Sequence, residues 1–130
     1  MTRYLTLEWI VAYHEVLMYE QGQLPHLIAP DKLEAALARP QASAFGEDAF
    51  ATLAEKAAAL LQAVVIAHPF LDGNKRAGLG ALLSFLELNG ETAVADQDAL
   101  YDFVIAVTTG QLREIEVIAR NIRQLFGVNH

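Results

Sequence analysis

Apolar residues recur along this chain mostly at steps of three and four, the spacing of one helix face. Ile10, His14, Leu17 and Met18 share such a face, and Thr6 before it suits an N-cap, which predicts a first helix running to about Gln21. Tyr4 and Leu5 read as a short strand or an extended entry. Pro25 and Pro30 punctuate a loop from Gly22 to Pro30. Asp31 to Arg39 reads as a short second helix that stops before Pro40, because a residue preceding proline is pushed out of the helical region. Pro40 to Asp48, which contains Gly46, reads as a second loop. A third helix is expected from about Phe50 to Ala67; it is rich in alanine and apolar on most sides, the pattern of a central helix. A connection at His68 to Gly73 follows. The fourth helix starts near Asn74 and ends near Asn89, with Gly90 as its stop. Glu91 to Ala95 reads as a short strand or hairpin arm. Asp96 caps a fifth helix to about Thr108, Gly110 breaks the chain, and a sixth helix runs to about Phe126. With no repeat, low-complexity tract or linker, the expected fold is all-α: one domain over residues 1–130, a compact bundle of about six helices with a short hairpin or strand.

Composition narrows the function. The chain has 130 residues, 54% of them apolar, enough for one core, and 19% charged without a long run of either sign. Its net charge of -7 argues against direct nucleic-acid binding, which draws on clustered Lys and Arg. The absence of cysteine excludes disulfides and thiolate metal sites and fits a cytoplasmic protein. The first residues lack the basic-then-apolar order of a signal peptide. The most apolar window, Ala57 to Ala67, is too short to span a bilayer, so no membrane association is expected.

Chemistry concentrates between the third and fourth helices, in His68-Pro69-Phe70-Leu71-Asp72-Gly73-Asn74-Lys75-Arg76. His68 carries an imidazole that can take a proton from a hydroxyl nucleophile, or it is a helix-terminal histidine with a structural role. Pro69 and Phe70 read as structural, Phe70 as a packed ring that fixes the loop. Asp72 can hold Mg²⁺, which needs only one or two carboxylates when phosphates and water complete its shell, or it caps the next helix. Gly73 permits unusual backbone angles and close ligand approach. Asn74, Lys75 and Arg76 fall in the first turn of the fourth helix, where exposed N–H groups favour an anion. Two cations there oppose the helix dipole, a local conflict of the kind functional sites show; as surface residues they are merely solvated.

The order of these residues resembles the core motif of the Fic/Doc superfamily, His-Pro-Phe-x-Asp/Glu-Gly-Asn-Gly/Lys-Arg. Fic enzymes carry a glycine where this chain has Lys75 and a further arginine where it has Leu79, and both departures resemble the Doc (death-on-curing) toxin branch. Leu24-Pro25, Ala35 to Gln41, Leu82 to Gly90, Thr109-Gly110 and Leu125-Phe126-Gly127 resemble Doc toxins at matching relative positions, more loosely. The resemblance implies a Mg²⁺-dependent enzyme with ATP as co-substrate. It implies a kinase that moves the γ-phosphate to a threonine of elongation factor Tu and stops translation, under the control of a Phd-like antitoxin. His68 is then the base and Asp72 the metal ligand. Gly73, Asn74, Lys75 and Arg76 bind phosphate. With one cation fewer, the triphosphate is expected to lie the other way round from the Fic arrangement. The alternatives are a nucleotidyltransferase that places AMP on a protein hydroxyl and an idle module that only binds an antitoxin. An antitoxin groove would need exposed apolar residues, expected on the first two helices and at Phe45 and Phe50. Ser43 to Glu47 matches part of an inhibitory Fic motif but is followed by Asp48, and reads as chance. His14 reads as a satisfied core histidine.

Overall fold

Six α-helices and one two-stranded hairpin make up the architecture in a computed structural model that describes residues 1–130. Helix α1 (Leu7–Glu20) begins where the Thr6 hydroxyl accepts from Trp9 N at 3.2 Å. Helix α2 (Pro30–Ala38) opens on Pro30, whose missing N–H costs nothing at the first helical position. Arg39 does not leave the helical region before Pro40: its φ and ψ are -57° and -40°, and a 3-10 turn (Arg39–Gln41) continues the coil. Burial of Pro40 against the next helix outweighs the local preference for extension, which disfavours this conformation without forbidding it.

The expected loop ending at Asp48 is instead partly a hairpin. Strands β1 (Ser43–Ala44) and β2 (Glu47–Asp48) pair antiparallel, with Ser43 opposite Asp48 and Ala44 opposite Glu47. The turn residues Phe45 and Gly46 have φ of 54° and 80°, the positive pair that a two-residue hairpin turn requires. Lys56, only 3% exposed, ties this hairpin down by donating to Asp48 Oδ2 at 3.1 Å and to Phe50 O.

Helix α3 (Leu53–Ala67) starts later than its apolar pattern suggests, because Thr52 and Glu55 form a reciprocal capping box. Phe50 lies outside it, with the Arg39 guanidinium over its ring. Helix α3 packs against α2, the 3-10 turn and the three helices that follow: α4 (Asn74–Leu88), α5 (Gln97–Thr108) and α6 (Ile115–Phe126). Its fully buried Ala54, Ala57, Ala58 and Ala59 keep those approaches short. The approach to α4 is tight: a Cβ added at Gly78 would lie 2.6 Å from Val65 Cγ1. Every helix contributes to a single core cluster of 27 buried residues.

Glu91 to Ala95 is not a strand. Val94 N and Ala95 N both donate to Leu125 O, at 2.9 and 3.0 Å, so the segment closes on the end of α6 without a strand partner. Tyr4 and Leu5 form no strand, and the Tyr4 ring stacks on Phe85. The exposed apolar residues expected on two helices occur on α1 alone, as Trp9, Val16 and Tyr19; the large apolar side chains of α2, Leu33 and Leu37, are buried. Phe45 is fully exposed at the hairpin tip, and Phe50 is partly covered. No helix is long and apolar enough to cross a membrane.

Candidate active site

Helix α3 ends at His68, which adopts the left-handed conformation with φ 49° and ψ 53°, and this turns the chain sharply into the loop before α4. Histidine, like Asn and Asp, tolerates that region better than branched residues do. Ile28 N and Ala29 N donate to Pro69 O at 2.8 and 3.0 Å, and Leu71 N donates to His26 O at 2.9 Å. The stretch around Leu27, expected as plain loop, therefore forms a β-bridge to Phe70 and braces the site from outside. Phe70 is 1% exposed and belongs to the core cluster, so it anchors the loop there.

Asn74 borders the same cleft as the rest of the motif, with its side chain turned to the loop backbone. It is 6% exposed, and its side chain both accepts from Phe70 N at 3.0 Å and donates to Phe70 O at 2.8 Å. Both ends of that amide are thus held by the backbone of Phe70. Asp72 does not cap α4: its Oδ1 accepts from Gly73 N at 2.7 Å, and α4 starts with no side-chain cap. The first amides of α4 take no acceptor from the protein, which leaves them able to donate to an anion. Gly73 has φ 80°, and a Cβ there would lie 3.0 Å from Met18 Sδ and 3.1 Å from His14 Nε2, so both its conformation and its surroundings call for glycine.

His68, Asp72, Lys75 and Arg76 are all exposed and line one cleft of about 310 Å³ together with Gly73 and Asn74. Neither cation forms an ion pair with a carboxylate of the protein. Two unpaired cations over uncapped amides make an electropositive floor beside one acid and one imidazole. Leu79, one turn further along α4, is half-buried and packs against the core, so it adds no charge to the cleft. No cluster of three or more potential metal-ligating side chains exists, but Asp72 alone suits a Mg²⁺ that keeps water and phosphate oxygens as its other ligands.

Residues distant in sequence complete the cleft: Gln21 at the end of α1, Val65 on α3, and Tyr101 and Thr108 on α5. Periodicity gives no sign of them, because only helix packing brings these positions to the motif. Tyr13 lies across Gly80 of α4, and burial pushes its phenol above the ordinary 10.0; the nearby Arg76 opposes that rise and Glu20 adds to it. His14 is 1% exposed and satisfied, as a core histidine should be, but its partner belongs to the motif: Nε2 donates to Asp72 O at 2.7 Å. A larger recess of about 500 Å³, bordered by Tyr4, Trp9 and Leu88, lies toward the far end of α4, away from this chemistry.

Residues 4–86 match the model of the Fic/DOC family. The chain is 50% identical over 66 residues to "Toxin Doc" of Mycolicibacterium smegmatis, a match that spans about half of each chain (51% and 51%). It is 33% identical over 125 residues to "Protein kinase doc" of Escherichia phage P1, covering 96% of this chain and 97% of that one.

Proposed function

The chain belongs to the Fic/DOC family, and from that membership we propose that it is a Doc-type toxin that moves the γ-phosphate of ATP to a hydroxyl of a protein. The target suggested by resemblance is a threonine of elongation factor Tu, which would block translation, with a Phd-like antitoxin as the controlling partner. The observation that carries the choice of phosphate over AMP is the cation set of α4: Lys75 and Arg76 face the cleft, and Leu79 packs into the core. The name of the phage P1 relative, which aligns along almost the whole chain, supports the same choice.

In this reading His68, exposed at the cleft, accepts the proton of the target hydroxyl as its oxygen attacks the γ-phosphorus. The bond from that phosphorus to the bridging oxygen breaks, and ADP carries the electron pair away. Lys75, Arg76 and the uncapped α4 amides hold the phosphates and neutralise charge that shifts toward the leaving group. Gly73 brings the backbone close to the ligand. Bound Mg²⁺ supplies further charge neutralisation, and Asp72 is the residue that would hold it. Little more than positioning and charge is needed for phosphoryl transfer, so a small exposed site suffices.

Incubation with a cell extract and ATP labelled separately at the α and γ positions tests the proposal. Label should enter protein from the γ position, and His68→Asn, which tolerates the left-handed backbone but lacks the base, should lower the rate by about 10²–10⁴-fold. Label entering only from the α position would establish AMP transfer instead, and none from either would leave an antitoxin-binding module.

A further inference from the structure

We infer that His14 is a positioning residue for Asp72: its bond to the Asp72 carbonyl aims the carboxylate into the cleft. The inference rests on the reading of Asp72 as the metal ligand. A carbonyl only accepts, so Nε2 of His14 carries the proton of this 2.7 Å bond. The imidazole also lies flat on Phe70, with ring centroids 3.6 Å apart and an interplanar angle of 11°. His14 and Met18, one turn apart on α1, form the seat on which Gly73 rests, with a Cβ there meeting them at 3.1 and 3.0 Å.

The bonds around the loop separate a positioning role from a general structural one. Pro69 is held by Ile28 and Ala29, Phe70 by Asn74, and Leu71 by His26. Asp72 has none of these braces. Its carbonyl is turned inward to His14, and its carboxylate is turned outward, with Oδ1 on Gly73 N. Loss of the His14 bond frees Asp72 to rotate while its neighbours on both sides stay anchored. The imidazole meets the Phe70 ring, Asp72 O and Gly73, and Asp72 O is the one hydrogen-bond partner of Nε2.

Three variants of the full chain test this by direct binding, with Mn²⁺ in the presence of ADP followed by electron paramagnetic resonance. His14→Phe keeps a flat ring against Phe70 and removes the donor. His14→Gln returns an amide nitrogen close to the position of Nε2. His14→Phe should weaken Mn²⁺ binding about 10–100-fold, the range for lost outer partners of a metal site, with ADP affinity in the absence of metal and helix content unchanged. His14→Gln should recover to within a few-fold of wild type, and Asp72→Asn should lose binding. Undiminished Mn²⁺ affinity in His14→Phe beside a loss in Asp72→Asn would overturn the positioning role alone. A parallel fall in metal-free ADP affinity would also overturn it, since that reports collapse of the loop. Retained affinity in Asp72→Asn would overturn both the inference and the metal assignment beneath it. If His14→Phe does not fold, His14→Asn, whose amide falls short of Asp72 O, carries the same comparison.

Discussion

The side chain of Asn74 bonds both the N–H and the C=O of Phe70, so one buried amide closes the turn between the last core ring of the loop and the first residue of α4. Neither Phe70 group has another route to water, since Phe70 is 1% exposed. Asn74→Ala should therefore cost about 1–3 kcal/mol, the penalty of leaving buried polar groups unmatched. Urea unfolding measures the loss, and faster hydrogen exchange at the Phe70 amide locates it. At this scale the sequence is informative about chemistry and less so about division of labour. His68, Asp72, Lys75 and Arg76 do share one cleft. Asn74, placed with them by its neighbours in sequence, spends its side chain on the loop instead. His14, read as a core residue, holds the loop from below.

At the scale of elements, the closeness of α3 and α4 fixes how the loop between them is stretched. Gly78 makes that closeness possible. Alanine there would gain about 1 kcal/mol of helix propensity, yet its Cβ would lie 2.6 Å from Val65 Cγ1 and 3.3 Å from Leu61 Cδ1, both buried. Overpacking outweighs propensity, because neither neighbour can yield without displacing the core. Gly78→Ala should lose about 1–2 kcal/mol net, read as a lower midpoint of thermal or urea unfolding. Gly80→Ala makes a useful contrast: its clash is with the half-buried Tyr13 ring, which can swing outward, so its loss should be smaller.

For the whole molecule, one cluster of 27 buried residues draws on all six helices, which argues for unfolding in one step. Fluorescence of Trp9, the only tryptophan, and far-UV circular dichroism should therefore give coincident urea transitions. Separated midpoints would instead show that α1, which carries Trp9, opens before the rest and leaves His14 unable to seat the loop.

Helix periodicity, caps and the motif order are local properties, and the sequence determined them: six helices nearly in register, the imidazole, the carboxylate and the two cations. Where local signals compete with packing, tertiary structure decided. Pro40 continues a helical turn because it is buried, Glu91 to Ala95 follows α6 rather than pairing as a strand, and the hairpin at Ser43–Asp48 is held by a buried lysine. The site divides the same way. The residues that would do chemistry lie within one loop and one helical turn and can be read in order. Those that shape or seat the site, Gln21, Tyr101, Thr108 and His14, reach it only because α1 and α5 pack against α4, and spacing along the chain carries no record of that.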